Sequence, residues 1–230
     1  IKNYKKFSDK IIYIVLNSKP YNYLNIIAED NPESKTRKKI INALILENHQ
    51  RNGISKGINN ADDNDLILIS DVDEIPKLNS LNLKNIGNSI LFFIQYFFHY
   101  KFNLYLNGLD HFGTKGCLKK VLVSPQWIRN IKNKKYNFFR FDTIFSKRKY
   151  KNIKIIEDGG WHFSNILNEE QIIYKMKSYL HHADFPENLL SKDLFKELIR
   201  ERKIMYDHKV DKGADKYSKK KNLDVLDFKC

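Results

Sequence analysis

Cysteine is nearly absent from this chain. Its 230 residues contain only Cys117 and Cys230, which lie far apart and belong to no metal-binding or redox motif. This excludes a disulfide framework, so a reducing compartment is the default expectation. Glycine and proline are also scarce, at nine and five residues, which excludes a linker or a low-complexity chain. With 42% hydrophobic residues, the chain has enough apolar material for one domain with a sizeable core.

Long hydrophobic runs are missing as well. The longest, at residues 90–98, is interrupted by Gln95 and has the length of a strand, well below the ~18 residues that span a membrane. No signal peptide is visible. The chain begins with Ile1 rather than Met, so we expect a fragment, and this leaves open whether a targeting segment precedes it.

Basic residues are abundant, giving a formal net charge of +14. Such a charge suits a nucleic-acid binder, a protein on acidic membranes, or an enzyme with a phosphorylated substrate. The lysines are scattered, and their clusters at residues 132–135, 147–154 and 216–221 fall in predicted loops or the tail. We favour a solvated basic surface and keep a diphosphate substrate or peripheral membrane association open. Because none of the standard nucleic-acid motifs is present, we predict no nucleic-acid partner.

Hydrophobic patterning predicts strands that alternate with helices. The predicted strands are residues 11–16, 65–70, 90–98, 101–106, 118–124 and 161–164. The predicted helices are residues 31–52, 125–130, 168–181 and 191–206. This alternation indicates an α/β fold with a mixed, mostly parallel sheet flanked by helices. We expect residues 1–206 to form the catalytic domain and residues 207–230 a loose charged tail.

The strongest local motif is Asp71-Val72-Asp73, which directly follows an apolar predicted strand. Ligands of open α/β sheets collect at the carboxyl ends of the strands. Two carboxylates at that position suit Mg²⁺ or Mn²⁺, which in turn can stabilise a departing diphosphate. The alternative for so short a motif is a solvated acidic turn with a capping role.

Four motifs follow one another along roughly residues 4–190. Residues 47–52 have the pattern E-x-x-x-R-N, and residues 69–76 read ISDVDEIP. Residues 160–164 have the pattern G-W-H-x-S, and Lys175, Ser178 and His181 form a K-x-x-S-x-x-H pattern. In kind and order these motifs resemble those of glycosyltransferase family seventeen, which includes the enzymes that add a bisecting β-1,4-linked N-acetylglucosamine to N-glycan cores.

The resemblance implies a nucleotide-diphospho-sugar transferase (GT-A-like) fold whose N-terminal strand is missing from this chain. It implies a metal-dependent, inverting transfer of N-acetylglucosamine from UDP-GlcNAc to a glycan or glycoconjugate acceptor. Asp71 and Asp73 would hold Mn²⁺ or Mg²⁺, with His162 as third protein ligand. Contacts to the donor are expected from the following residues: Glu47, Arg51, Lys175 and His181.

An inverting displacement also needs a general base. Glu74, Asp158 and Asp184 are the candidates, and Glu74 is favoured by its proximity to the metal motif. Two positions depart from the family pattern: His111 replaces an aromatic residue, and Ala183 replaces an acidic one. Without an anchor, the chain is expected to be cytoplasmic, although relatives in animals are bound to the Golgi.

Simpler interpretations of these residues remain. Glu47 and Arg51 are spaced as an i,i+4 surface ion pair, and His162 fits a structural histidine. A haloacid-dehalogenase-type phosphatase would use Asp71 as its nucleophile, but it usually has Thr or Val where Ile75 stands. The charge alone would also suit a non-enzymatic polyanion-binding module.

Overall fold

The computed structural model describes residues 2–79, 81–82, 85–133, 150, 152–178, 190–204 and 223–226. These residues contain four α-helices and eight strands. The helices are α1 (Pro32–Gly53), α2 (Pro125–Asn130), α3 (Glu169–Ser178) and α4 (Lys192–Arg200). The strands are β1 (Leu66–Ile69), β2 (Glu74–Pro76), β3 (Ile90–His99), β4 (Leu104–Tyr105), β5 (His111–Leu118), β6 (Ile153–Ile156), β7 (Gly160–Ser164) and β8 (Asp224–Val225).

The sheet is mixed and is organised around β3. Strands β4 and β5 pair with one side of β3, and β6 and β7 pair with its other side. Beyond them, β1 pairs with β5, β8 with β4, and β2 with β7. The prediction of a mixed sheet flanked by helices is confirmed. Its mostly parallel character is wrong, because five of these seven pairs are antiparallel. The short connection from β3 to β4 returns the chain antiparallel, and β5 then continues in the direction of β4.

The helices pack on the sheet through two apolar clusters. One cluster joins β1, β3 and β5 to α2 and includes Phe92 and Ile128. The other joins the end of β3 to α3 and α4 and includes Phe97, Ile172 and Phe195. Because Phe92 and Phe97 are five residues apart on β3, their side chains point to opposite faces, so the helices cover both faces of the sheet.

Helix α1 confirms the predicted helix start. Asn31 is its N-cap and accepts a hydrogen bond from the Ser34 backbone N–H at 2.8 Å, and Pro32 occupies the first turn. Helices α2 and α3 also lie where they were predicted. The described part of α3 ends at Ser178, and helix α4 ends at Arg200 rather than Tyr206.

The predicted strand at residues 11–16 is wrong. These residues have no regular secondary structure, and Ile12 and Tyr13 are exposed. The segment lies along the end of α1, where Ile14 contacts Gly57 and Leu16 contacts Gly53. An apolar, β-branched run therefore packs on a helix here instead of pairing in the sheet.

Other boundaries also moved. The predicted strand at residues 118–124 is replaced by β5, which ends at Leu118, and of residues 101–106 only Leu104–Tyr105 is a strand. The predicted tail contributes to the sheet, since β8 pairs with β4 and Leu223 is buried. No helix in the described ranges is both long and apolar enough to cross a membrane.

Candidate functional site

The loop between β1 and β2 carries Asp71 and Asp73, and Glu74 begins β2 and closes the loop. The Glu74 backbone N–H donates to the Asp71 carbonyl at 3.1 Å, and the Asp71 N–H donates to Glu74 Oε2 at 3.0 Å. At the loop's start, the hydroxyls of Ser70 and Thr114 lie 2.7 Å apart. The acidic turn is thus fixed in one conformation against β5.

Arg129 of α2 connects this loop to the helical layer. Its Nη1 donates to Glu74 Oε2 at 2.9 Å and to the Gly113 carbonyl at 2.7 Å. Its Nη2 donates to Asp71 Oδ2 at 2.9 Å and to Glu74 Oε1 at 3.0 Å. The Glu74 side chain is only 1% exposed, so this paired geometry is what makes its burial tolerable.

Glu74 is consequently held as a carboxylate. Burial raises its pKa, but the neighbouring His111 and the Arg129 guanidinium outweigh burial and lower the pKa to about 2. His111 Nε2 lies 3.9 Å from Glu74 Oε1, too far for a hydrogen bond, so Arg129 is the stronger partner. A carboxylate this acidic is a poor proton acceptor near neutral pH.

Lys115 fixes the end of α2 that carries Arg129. Its Nζ donates to the Arg129 carbonyl at 2.8 Å and to the Ile131 carbonyl, and it lies 4.4 Å from the centre of the Phe92 ring. Burial, together with the Arg129 charge, lowers the pKa of Lys115 to about 8. The lysine thereby satisfies carbonyl groups at the helix end and holds the backbone of Arg129 in place.

Arg51 of α1 approaches Asp71 from the other side. Its Nη2 lies 3.2 Å from Asp71 Oδ1, and its Nη1 contacts Gln126 Oε1 at 2.7 Å and Glu47 Oε1 at 2.9 Å. The predicted i,i+4 pair of Glu47 and Arg51 therefore exists, and the same arginine also reaches the acidic loop. Asp71 is held between two arginines, one on each carboxylate oxygen.

Asp73 faces His162 of β7. His162 Nε2 lies 3.9 Å from Asp73 Oδ2, and His162 Nδ1 lies 4.0 Å from Glu74 Oε1. The imidazole stacks on Phe97 at 4.7 Å between ring centres. Burial raises the pKa of Asp73, with further contributions from the Glu74 and Asp71 charges, although the charge of Lys175 opposes them. Asp73 is thus a partly desolvated carboxylate beside an imidazole nitrogen.

A second group of side chains that could ligate a metal ion shares His162 with the first. Ligand atoms of Glu74, His111 and His162 all fall within 4.8 Å of one another. His111 was noted only as a departure from the family pattern, and that departure was the available signal for its place here. Arg129 and Lys115 were also missed as site residues, because each acts through a contact that is remote in sequence.

The residues present fit a divalent cation at Asp73 and His162. A cation at the usual ~2.1 Å from each ligand atom can bridge the 3.9 Å between Oδ2 and Nε2, and desolvation leaves the Asp73 charge in need of a positive partner. Asp71 fits less well, because each of its oxygens already accepts a hydrogen bond from an arginine. We therefore leave Asp71 out of the donor set.

A cavity of about 1000 Å³ opens in front of Arg51 and Asp71. Its walls are residues 12–16 and the end of α1, and its apolar lining includes Ile14, Leu16 and Ile58. Its polar lining includes Glu47, His49, Arg51 and Asp71. The predicted donor contacts Glu47 and Arg51 thus lie on one wall with the first aspartate of the motif.

The remaining predicted residues lie elsewhere. Lys175 on α3 acts on Asp73 through its charge. Asp158 lines a separate, smaller cavity and forms an ion pair with Lys77. His181 and Asp184 lie outside the described residues, so their predicted roles stay predictions.

The comparisons with known proteins agree with the four motifs. A family model described as Glycosyltransferase family 17 matches residues 3–208, which is most of the chain. No curated protein and no solved structure shows significant similarity to the chain. The matched residues include the acidic loop, Arg51, Arg129 and His162. The chain therefore belongs to glycosyltransferase family 17.

Proposed function

We propose that this chain transfers N-acetylglucosamine from UDP-GlcNAc to a glycan acceptor, with inversion to a β-linkage and with help from a divalent cation. The observation that carries the proposal is the cavity of about 1000 Å³ that ends at Arg51 and Asp71. This volume is at the upper end of the range for small-molecule sites, as a nucleotide sugar requires. The choice of uridine and N-acetylglucosamine comes from the resemblance to the family.

The lining of the cavity suits the two halves of such a donor. Apolar side chains such as Ile14, Leu16 and Ile58 offer a surface for a nucleoside, while Arg51 offers a guanidinium for a phosphate. Asp71 and Glu47 hold that guanidinium in place, and Gln126 supports it from α2. In this proposal, Asp71 orients a phosphate-binding arginine.

Asp73 and His162 would hold the cation next to the phosphates. A divalent cation bound there would neutralise the charge that develops on the departing diphosphate. The Phe97 ring, which stacks on His162 at 4.7 Å between ring centres, would hold the imidazole with Nε2 near Asp73, and the Glu74 carboxylate lies 4.0 Å from its Nδ1. Lys175 would add positive charge near Asp73.

Two of the three predicted candidates for the general base lose support in this proposal. Glu74 is unsuitable, because Arg129 occupies both of its oxygens and its pKa is about 2. Asp158 lines the other cavity and is paired with Lys77. Asp184 lies outside the described residues, so its role as the base stays a prediction.

The two alternatives lose support. A phosphatase would need Asp71 as a free nucleophile, whereas both of its oxygens accept hydrogen bonds from arginines. A polyanion-binding module needs only surface charge. It gives no reason for a buried Glu74 joined to Arg129, or for a cavity that ends at Asp71.

The test is a screen of donor hydrolysis across uridine- and guanosine-diphosphate sugars, with and without Mn²⁺. We expect hydrolysis of UDP-GlcNAc that depends on Mn²⁺ and falls at least tenfold in Arg51→Ala. Arg37→Ala is the matched control, because Arg37 is exposed on the same helix. Hydrolysis of none of the donors, or an equal rate in the two variants, would count against the proposal.

A further inference from the structure

Strand β3 contains one exposed residue in an otherwise enclosed run. Tyr96 is 48% exposed, whereas its neighbours Gln95 and Phe97 are 1% and 4% exposed. The other residues of the strand are buried, except Ile94, which is half-buried. An exposed aromatic ring on the central strand of a sheet is unusual, because such a position is normally covered by the core. Packing of the core therefore does not explain why an aromatic side chain stands at position 96.

Tyr96 lines a second cavity, of about 250 Å³. Its polar lining comes from Gln95, Asn107, Asp110 and Asp158, its aromatic lining from Tyr96 and Tyr105, and the remainder from Ile94, Leu106, Gly108 and Leu109. This volume lies just below the usual range for small-molecule sites, so the cavity has room for one small ring rather than for a nucleotide sugar.

Tyr96 and Phe97 lie on opposite faces of β3, because successive side chains of a strand alternate. The ring of Phe97 stacks on His162, so Tyr96 points away from His162. Gln95 and His111 pair in register between β3 and β5, and Asp110, which lines the second cavity, immediately precedes His111. The second cavity therefore lies beside β3 and the start of β5, whereas the first is lined by the N-terminal segment, the end of α1 and the start of the acidic loop.

The charged groups among the described lining residues of the second cavity are all acidic, whereas the first cavity carries both signs of charge. Asp110 and Asp158 contribute carboxylates, and no lysine or arginine is among its described lining residues. The first cavity is lined by Lys10 and Arg51 and also by Glu47 and Asp71. In a chain of net charge +14, a cavity lined by acidic groups disfavours phosphates and other anions. Asp158 is held by Lys77 and has a left-handed backbone, with φ 49°, which is uncommon outside glycine.

We propose that the second cavity binds a neutral sugar unit of the acceptor glycan, on the face of β3 opposite to the ring of Phe97 that stacks on His162. This inference rests on the proposed function, which requires a glycan acceptor. The Tyr96 ring offers a flat apolar surface to the C–H face of a pyranose, as amphipathic aromatic side chains do at wet interfaces. Asp110, Asp158 and Asn107 offer acceptors and donors for its hydroxyl groups.

The test measures sugar binding without any donor. Methyl β-N-acetylglucosaminide and methyl α-mannoside are titrated into the full chain, and saturation transfer from protein to sugar is followed by NMR. Wild type is compared with Tyr96→Ala and with Asp110→Asn, which keeps the shape of the side chain but removes its charge. Phe102→Ala is the control, because Phe102 is 62% exposed, packs on Phe163 and does not line the cavity. Spermidine and UMP serve as separate probes for a cation site and for the first cavity.

We expect at least one of the two glycosides to bind, with an affinity that falls at least tenfold in Tyr96→Ala and severalfold in Asp110→Asn, and is unchanged in Phe102→Ala. Only variants whose melting temperature equals that of wild type are compared, so that a loss of binding does not reflect a loss of folding. Failure of the glycosides to bind, or equal binding by Tyr96→Ala and Phe102→Ala, would overturn the inference. If spermidine binds at this cavity and the glycosides do not, the cavity is a cation site and the inference is wrong. If wild type neither binds UMP nor hydrolyses any donor, the proposed function is refuted instead.

Discussion

Arg129 Nη2 lies 2.9 Å from Asp71 Oδ2, and this contact joins helix α2 to the loop that carries the candidate site. The same guanidinium binds both oxygens of Glu74, whose side chain is almost completely buried. One arginine thus determines the position of two carboxylates that lie 55 and 58 residues away in the chain. The first prediction concerns this residue.

Arg129→Met should lower the free energy of unfolding by about 3 kcal/mol, because it leaves the Glu74 charge buried without its partner. Chemical denaturation measures the loss. Lys192→Met is the control, since the pair of Lys192 and Glu170 is exposed, and it should leave the midpoint nearly unchanged. Equal midpoints for the two variants would show that the buried pair contributes nothing to the fold.

Glu74 should make stability depend on pH in acid. Its pKa in the folded chain, about 2, lies below the ordinary value of 4.5, so the unfolded chain binds the proton more readily. The stabilisation is complete above about pH 4.5 and is lost as the pH falls toward 2, by up to roughly 3 kcal/mol. The free energy of unfolding, measured by chemical denaturation at several pH values in this window, should depend less on pH in Glu74→Gln than in wild type. In Glu33→Gln, an exposed position, its pH dependence should be unchanged.

Changing both Glu47 and Arg51 to Ala should impair catalysis more than folding. Glu47 is 43% exposed, so its pair with Arg51 contributes little to stability, whereas Arg51 also holds Asp71 at the wall of the large cavity. We expect kcat/KM to fall more than tenfold, which corresponds to about 1.4 kcal/mol of transition-state stabilisation. The free energy of unfolding should fall by less than that. A double variant that keeps more than half of the normal kcat/KM would reduce the two residues to a surface pair.

Gly160 should tolerate no side chain. Its φ is 121°, and an added Cβ would lie 2.1 Å from the Ile75 carbonyl oxygen, in the pairing of β2 with β7. Gly87 also has a positive φ, 54°, but nothing lies within 4 Å of an added Cβ. Gly87→Ala should therefore cost only about 1 kcal/mol, and Gly160→Ala several times more. Similar melting temperatures for the two variants would show that the β2–β7 contact relaxes freely.

Local signals in the sequence were sufficient for several elements. Asn31 and Pro32 indicated the start of α1 because capping depends on residues within one turn. The apolar run before Asp71 and the aromatic run of β3 indicated buried strands, since both show in a short window. The motif around His162 coincides with β7. In each case the determining interactions lie within a few residues.

Long-range contacts determined what the sequence did not reveal. Strand β5 holds Gly113, Thr114, Lys115 and Gly116, which lack the usual β pattern, and its pairing with β1 and β3 defines it. Residues 11–16 have that pattern but pack on α1. Likewise, Arg129 and His111 enter the site only because folding brings α2 and β5 to the acidic loop. Neither residue belongs to the motif that it supports.

The cation is the central claim, and Asp73 is the residue on which it depends most. Asp73→Asn keeps the size and shape of the side chain but removes the charge proposed to hold Mn²⁺ beside His162. Burial raises the pKa of the Asp73 carboxyl, so removing its charge should leave the melting temperature in metal-free buffer unchanged or slightly higher. Asp63→Asn is the matched control at an exposed acidic turn.

The decisive measurement is a titration of Mn²⁺ into wild type, Asp73→Asn and Asp63→Asn while the turnover of UDP-GlcNAc is followed. We expect saturable activation of wild type and of Asp63→Asn. For Asp73→Asn we expect a rate lower by roughly a thousandfold, which corresponds to about 4 kcal/mol of transition-state stabilisation. Full activity of wild type in excess chelator, or of Asp73→Asn at ordinary Mn²⁺, would contradict the metal-dependent mechanism.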